Sequence, residues 1–247
     1  MRILISIDDT DNLESPGTGA LASQIADDLE SNGWGKSSYV TRHQLLVHPD
    51  IPYTSHNSSM CFSADIGEEY LDRVITYAAN FLERESAPGS DPGLCVVVLD
   101  RLPDSAQLIS FGKSAKESVL SKESAYERAQ QLGLHLSEHG GTGQGVIGAL
   151  AGAGLRLGGN DGRLKGQLYF GAPGAIVSVA ALASHDTVDE VRSLDGSSLS
   201  DRDMVRLGEK VKTVLLDGHS VLLVVPNEGV LDGPRYQTCS RQLLKRY

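Results

Sequence analysis

The sequence predicts a two-domain protein that joins an α/β part to an α+β part. Strand-like apolar runs alternate with amphipathic helical segments along the first half of the chain, which is typical of layered α/β architecture. The first hundred residues follow the order β-α-β-β-α-β, a split βαβ pattern of the ferredoxin-like kind. The glycine-rich run 158–162 then separates this part from a region of shorter elements. We therefore expect a domain boundary near residue 160.

The individual elements follow from periodicity and from helix-stop and turn residues. An apolar, β-branched run predicts a strand at 3–7, and four-residue apolar spacing predicts a helix at 18–32 that ends at Asn32-Gly33. The next predicted elements, in chain order, are extended segments at 37–47 and 58–66, a helix at 68–84, a strand at 94–99, a helical stretch at 104–135 and a small-residue helix at 146–155.

Beyond residue 160 the pattern predicts short strands alternating with helices. The strands are expected at 167–170, 176–180 and 221–225, and the helices near 186–193 and 201–216. The predicted domains are therefore residues 1–160 and residues 161–247.

Composition excludes several functional classes. The net charge of −10 argues against broad, non-specific nucleic-acid binding, because such binding needs a basic surface. A run of 18 apolar residues, which a transmembrane helix would need, does not occur in the sequence, and the start of the chain is typical of a buried strand. The cysteines Cys61, Cys95 and Cys239 form no CxxC pair, so we expect no zinc site, no disulfide framework and a cytoplasmic location.

An aspartate cluster follows the first predicted strand. Asp8, Asp9 and Asp11 fall within four residues, and their carboxylates repel one another unless a cation lies among them. Hard oxygen ligands at this density suit Mg²⁺, which binds through one or two carboxylates together with waters and phosphates. The alternative is that one aspartate caps the following helix and the others are exposed loop acids.

The segment Ser15-Pro16-Gly17-Thr18-Gly19 opens the first predicted helix. Glycines allow a ligand to approach the backbone, and a helix N-terminus offers N–H groups to an anion. Thr18 is either the N-cap residue or a hydroxyl that faces a phosphate. Because this loop adjoins the aspartates, we expect Gly17 and Gly19 to contribute to a nucleotide site.

A second glycine-dense loop precedes the small-residue helix. Its residues Gly141, Thr142, Gly143 and Gly145 form a second candidate phosphate cradle, although such loops also serve as hinges and close-packing devices.

A stiff, proline-containing loop lies between the second and third predicted strands. Its residues Tyr53, His56 and Asn57 are candidates for contact with a second substrate, and a solvated loop histidine is the alternative interpretation of His56.

Taken together, these segments resemble the tRNA-isoleucine agmatidine synthetase family. The resemblance is carried by Ile7-Asp8-Asp9-Thr10-Asp11 with Thr18 at a matching offset, by Asp50-Ile51-Pro52-Tyr53, by Asp91-Pro92-Gly93 and by Gly145-Val146-Ile147-Gly148-Ala149-Leu150-Ala151, with a weaker echo at 221–226 and 233–235. It extends over most of the chain, and the aspartate motif and the small-residue helix are its most specific parts.

The resemblance implies a kinase-like domain at 1–160, where Asp8, Asp9 and Asp11 hold Mg²⁺ with ATP and Thr18 matches a phosphorylatable threonine. It also implies a ferredoxin-like domain at 161–247, whereas the residue pattern places that order in the first hundred residues. Both assignments stand as expectations.

This chain differs from the family where tRNA would be engaged. The family's oligonucleotide-binding fold and zinc ribbon do not appear in the sequence, and Thr54, Ser55 and His56 stand where the family tends to carry Lys and Arg. The expected function is ATP- and Mg²⁺-dependent activation of an oxygen on a second substrate, which would be a small molecule or an amine. The alternatives are an RNA-modifying enzyme with a separate RNA-binding partner and a non-catalytic nucleotide-binding regulator.

Overall fold

The computed structural model describes residues 1–51, 57–227 and 233–247, and the chain divides into two compact units, Met1–Gly158 and Gly159–Tyr247. The strands of the first unit are β1 to β6, at Arg2–Asp8, Gly35–Ser37, Thr41–Gln44, Ser58–Ile66, Gly93–Val98 and His135–Glu138. Its helices are α1 to α5, at Thr18–Ser31, Leu71–Glu85, Ser105–Glu117, Lys122–Leu132 and Gly145–Gly158.

The first unit is an antiparallel sheet covered by helices on both faces. The strand order is β6-β5-β1-β4-β3, and β2 extends the β3 side by pairing with β4. The order β5-β1-β4-β3, combined with α1 and α2 in the connections, is the split βαβ arrangement that the residue pattern predicted for the first hundred residues.

Strand β1 explains why both faces are covered. Its odd-numbered residues Ile3, Ile5 and Ile7 pack with α1 and α2, whereas Leu4 packs with α3, α4 and α5 on the opposite face. Side chains alternate across a strand, so Ser6 and Asp8 share the α5 face with Leu4. Asp8 is therefore directed into the protein toward α5.

Helix α5 consists largely of small residues because it lies very close to its neighbours. A Cβ at Gly152 would come within 2.3 Å of Ser59 Oγ, and one at Gly154 within 2.2 Å of the Leu108 carbonyl oxygen of α3. Glycine is the residue that allows two backbones to approach this closely. The prediction of a tightly packed small-residue helix is confirmed.

The second unit is built mainly from short strands. They are β7 to β13, at Arg163–Leu164, Ile176–Ser178, Glu190–Ser193, Met204–Arg206, Thr213–Leu216, His219–Pro226 and Tyr236–Thr238. Helix α6 spans Val179–Ala183, and the central strand β12 pairs with β9, β11 and β13.

Several predictions for the second unit are wrong. The helices expected near 186–193 and 201–216 are instead strands β9, β10 and β11, and 167–170 contributes only an isolated bridge between Leu168 and Val211. In the described part of this unit only the five-residue α6 is an α-helix, so the two-helix ferredoxin-like order expected for 161–247 is not present there. Short apolar runs do not distinguish strand from helix, and pairing with β12 decides the outcome for β9 and β11.

The contact between α3 and α5 leads to a stability prediction. Gly154→Ala places a methyl group against the backbone of α3, and overpacking of this kind costs about 1–3 kcal/mol. We expect a lower urea midpoint for this variant at an unchanged m-value. Gly158→Ala is the matched control on the same helix, because its Cβ would make an ordinary 3.5 Å contact with Ile109. Equal stability of the two variants would contradict the close approach at Gly154.

Candidate active site

The site is built around Asp8, the last residue of β1. Its side chain is buried, and a Cβ at Gly148 would lie 1.6 Å from Asp8 Oδ2. The carboxylate therefore occupies the space that a side chain on the first turn of α5 would otherwise fill. Gly148 keeps this place open for Asp8.

Asp9 leaves the strand in the left-handed region of backbone space, with φ of 51°. This conformation is uncommon for residues other than glycine, and Asp is one of the few that adopt it readily. The turn places its carboxylate near Asp91, whose backbone N–H donates to it and whose negative charge opposes it. Asp9 therefore lies between the end of β1 and the loop that leads into β5.

Burial and repulsion by neighbouring carboxylates raise the pKa values of Asp8 and Asp9. Desolvation, followed by the charge of Asp9, raises the pKa of Asp8 to about 8. Desolvation, followed by the charges of Asp91 and Asp11, raises the pKa of Asp9 to about 6. A strand end that concentrates negative charge in this way is a favourable place for a cation.

Thr18 is the first residue of α1, and its hydroxyl donates a 3.3 Å hydrogen bond to Asp11 Oδ1. The helix N-cap is Gly17, which has no side chain to cap the helix. Of the two alternatives for Thr18, the N-cap is therefore wrong. The first N–H groups of α1 lie beside the aspartate cluster, where a helix N-terminus favours an anion.

A cavity of about 310 Å³ connects these groups. Among the described residues, it is lined by the three aspartates and the start of α1, by the ends of β3 and β4, by the end of α3 and by the first turn of α5. These residues are Asp8, Asp9, Asp11, Gly17, Thr18, Gly19, Arg42, Leu45, Asp50, Ile51, Asn57, Ser58, Met60, Ala115, Ser118, Val119, Leu120, Gln144, Gly145, Ile147 and Gly148.

The cavity brings together most of the residues that were singled out from sequence. Asp8, Asp9, Asp11, Gly17, Thr18, Gly19, Asn57 and Gly145 all line it. Tyr53 and His56 lie outside the described residues. Gly141, Thr142 and Gly143 are not among its lining residues.

The glycine loop before α5 is held by the protein's own carboxylates. The Thr142 hydroxyl donates to Asp91 Oδ2 at 2.5 Å, and the Thr142 backbone N–H donates to Asp91 Oδ1. Lys122 donates to Glu138 at 2.8 Å and to the Thr142 carbonyl oxygen at 3.0 Å. A Cβ at Gly143 would meet Glu138 Oε2 at 1.7 Å. This part of the loop therefore holds Asp91 in place and does not present its Thr142 N–H to the cavity.

Two site residues were not identified from sequence. Asp91 was noticed only as part of an Asp-Pro-Gly motif, and Arg42 has no local signal because it is one polar residue in a half-buried strand. A search for acids that immediately precede a strand adjacent to β1 would have found Asp91, because β5 pairs with β1 and Gly93 lies opposite Asp8.

The carboxylates of the site suit a cation that is shared with a ligand. Among residues 1–51, 57–227 and 233–247, no three His, Cys, Asp or Glu side chains converge on one point as a complete metal centre. Mg²⁺ needs only one or two protein carboxylates when phosphates and waters supply the remaining ligands. The aspartate cluster fits a shared site of that kind.

In the described part of the chain, no helix is both long and apolar enough to span a membrane.

Known proteins similar to this chain include two synthetases. No protein-family model matches the chain. It is 28% identical over 160 residues to the tRNA 2-agmatinylcytidine synthetase TiaS of Methanosarcina acetivorans, which covers 63% of this chain and 36% of that enzyme. TiaS of Methanocorpusculum labreanum is 29% identical over 154 residues, which covers 60% and 34% of the two chains. An uncharacterised protein of Methanocaldococcus jannaschii is 28% identical over 156 residues, or 62% of this chain and 50% of that protein.

Solved structures of TiaS share the fold. Apo TiaS matches 62% of this chain and 35% of its own chain, with a TM-score of 0.54 at 23% identity. The complex of TiaS with its isoleucine tRNA, AMPCPP and agmatine matches 83% of this chain and 52% of its own, with a TM-score of 0.53 at 19% identity. This chain is therefore similar in sequence to part of TiaS and shares its fold.

The TiaS-like resemblance was expected from the motifs and is confirmed by the relatives. The chain spans between about a third and a half of the length of the curated relatives it matches. A match of this extent does not by itself give this chain the activity of the whole TiaS enzyme.

The raised pKa values predict how stability depends on pH. A buried carboxyl with a raised pKa binds its proton more tightly in the folded than in the unfolded protein, so folding is favoured at low pH. That stability is fully present below the unfolded pKa of 3.8 and is lost as pH rises through about 6 for Asp9 and about 8 for Asp8. With a chelator present, we expect the wild-type midpoint of thermal unfolding to fall between pH 4 and pH 8.

Asp8→Asn removes the carboxyl whose pKa is raised more, and with it the larger part of the loss of stability at high pH. We expect its melting temperature to exceed that of the wild type by several degrees at pH 8, with a difference that shrinks as the pH approaches 4. Asp27→Asn, at an exposed position of α1, is the control and should show a pH-independent difference. If Asp8→Asn and the wild type had parallel pH profiles, the destabilising charge would lie elsewhere.

Proposed function

We propose that this chain is an ATP-dependent, Mg²⁺-requiring enzyme that activates an oxygen of a second substrate by phosphoryl or nucleotidyl transfer. The observation that carries the proposal is that Asp8, Asp9 and Asp11 share one cavity with the N-terminus of α1. Such a site offers carboxylates for a metal cation next to N–H groups for phosphate. The TiaS relatives support this proposal, and TiaS has been solved as a complex with tRNA and ATP.

We assign the ATP site to a kinase-like domain at residues 1–160. All the described residues that line the cavity belong to the first compact unit. We propose Asp8, Asp9 and Asp11 as the residues that would hold Mg²⁺, which when bound would neutralise phosphate charge. Gly17, Thr18 and Gly19 would hold phosphate through the first turn of α1. Gly145 lines the cavity, but its N–H donates to the Asp91 carbonyl oxygen at 3.1 Å, so we assign it no phosphate contact.

The protein's own contribution to catalysis would be positioning and electrostatics. Phosphoryl and nucleotidyl transfer need the attacking oxygen held in line with the leaving group, and they need few acid or base residues. If the acceptor oxygen attacks the terminal phosphorus, the bond to ADP breaks. If it attacks the first phosphorus, pyrophosphate leaves. In either case the proton of the attacking hydroxyl would be released to water.

An amine and an RNA are the two candidate classes of second substrate. TiaS has been crystallised with agmatine and tRNA. In this chain the described lining of the cavity carries four carboxylates, those of Asp8, Asp9, Asp11 and Asp50, which favours a cationic amine electrostatically. The net charge of −10 gives no support to extensive RNA contact by this chain alone, so an RNA-modifying role would require a basic partner.

The central test is ATP consumption by the purified protein with Mg²⁺, in an assay that resolves ADP from AMP. We expect turnover in the presence of an amine or RNA acceptor, a loss of about 100-fold or more in Asp8→Asn, and complete loss on addition of EDTA. Asp27→Asn is the control and should retain full activity. Nucleotide binding without turnover for any acceptor would favour the regulatory alternative, and absence of ATP binding would overturn the proposal.

The role of Thr18 is tested by two substitutions of different chemistry. If its hydroxyl receives a phosphoryl group, Thr18→Ser should incorporate labelled phosphate from ATP that carries ³²P at the γ position, and Thr18→Val should not. If it only fixes Asp11 through the 3.3 Å hydrogen bond, neither the wild type nor Thr18→Ser becomes labelled. Thr18→Val then loses activity by about the 1.5–3 kcal/mol of one hydrogen bond to a charged group. Intact-mass measurement distinguishes the two roles.

A further inference from the structure

The cavity has a strong imbalance of charge. The described residues that line it include four carboxylates and one cationic side chain, Arg42. A polyphosphate that enters such a cavity meets repulsion from the carboxylates, and cations must offset it. Among the described side chains that line the cavity, Arg42 alone is positively charged and can offset that repulsion.

The position of Arg42 follows from the register of the sheet. Ile7 lies opposite Met60, and Met60 lies opposite Arg42, so the three residues form one row across β1, β4 and β3. Two strand spacings separate the Arg42 backbone from the Ile7 backbone, about 10 Å in all. Ile7 and Met60 both pack on the face of the sheet that α1 covers. Arg42 therefore extends into the cavity on the same side as the N-terminus of α1.

A hydrogen bond orients the Arg42 guanidinium. Its Nε donates to Ser58 Oγ at 2.9 Å, and Ser58 is the buried first residue of β4. A guanidinium held through Nε has its plane fixed, and a planar fork of N–H donors is suited to bidentate contact with phosphate oxygens. Ser58 is in this sense a positioning residue for Arg42.

We propose that Arg42 is a cationic phosphate-binding residue of this cavity, in addition to the N-terminus of α1. It contacts the outer phosphates of a nucleoside triphosphate and thereby determines specificity for triphosphate over monophosphate. The inference rests on the proposed function, since it names a ligand contact within the same site. Its physical basis is that the carboxylates around Asp8 can serve the phosphates only through a cation, whereas Arg42 acts on them directly.

The test compares three nucleotides in the intact chain. Dissociation constants of ATP, ADP and AMP with Mg²⁺ are measured by calorimetry for the wild type, Arg42→Gln and Arg42→Lys. We expect Arg42→Gln to weaken ATP binding by about 10- to 100-fold, the range for loss of hydrogen bonds to a charged group, and AMP binding by less than about 2-fold. Arg42→Lys should fall between, because it keeps the charge and loses the planar fork.

Two further variants distinguish a direct contact between Arg42 and phosphate from a general effect of removing an arginine. Arg73→Gln, an exposed arginine on α2, is the matched control and should bind all three nucleotides like the wild type. Ser58→Ala should weaken ATP binding less than Arg42→Gln does, again without affecting AMP. Equal losses for ATP and AMP in Arg42→Gln, or an unchanged ATP affinity, would overturn the proposal.

A titration without nucleotide distinguishes failure of the Arg42 assignment from failure of the proposed function. Tripolyphosphate with Mg²⁺ is titrated into the same variants. Arg42-dependent binding of tripolyphosphate without binding of ATP would uphold the anion site and overturn the nucleotide function. ATP binding that is indifferent to Arg42 would uphold the function and overturn the assignment of Arg42. Absence of binding for both ligands in the wild type would overturn both.

Discussion

The crowding of carboxylates at the end of β1 is the constraint on which the rest of the first unit depends. Asp8 is buried against the backbone of α5, and Asp9 adopts a left-handed conformation beside Asp91. Taking charges out of water and placing them near each other opposes folding, as the raised pKa values of Asp8 and Asp9 record. A protein retains such an arrangement when the same groups serve a ligand, since functional sites are where such strain is found.

Helix α5 serves both the site and the core, and its glycines serve different neighbours. Gly148 makes room for Asp8, Gly152 faces Ser6 and Ser59, and Gly154 lies on the backbone of α3. Each glycine lowers the intrinsic helix propensity, and the burial of Val146, Leu150 and Leu155 against the sheet and α3 offsets that cost. The position of the proposed catalytic carboxylate and the packing of the core are therefore coupled through one helix.

The loop before α5 is rich in glycine because it folds closely around carboxylates of the protein itself. Its pattern suggests an anion cradle, yet Asp91 accepts the Thr142 hydrogen bonds and Glu138 occupies the space beside Gly143. Positive φ angles at Gly140, Gly141 and Gly143 allow the chain to fold back over these carboxylates. The anions that this part of the loop binds are side chains of the protein itself. In holding Asp91, the loop also fixes the charge that faces Asp9.

What the sequence by itself determined is local. Runs of neighbouring residues predicted four features that the structure has. They are strand β1, the aspartates at its end, helix α1, which begins after Gly17, and the small-residue helix α5. The tertiary structure alone decided which distant groups join them. Arg42 reaches the cavity because β3 pairs with β4 and β4 with β1, and Asp91 reaches Asp9 because β5 flanks β1 on the other side. In the second unit, pairing with β12 made strands of β9 and β11, within segments whose periodicity predicted helices. Pairing between distant strands depends on partners that a local window of sequence does not contain, and this is the physical reason that the cluster could be predicted and its surroundings could not.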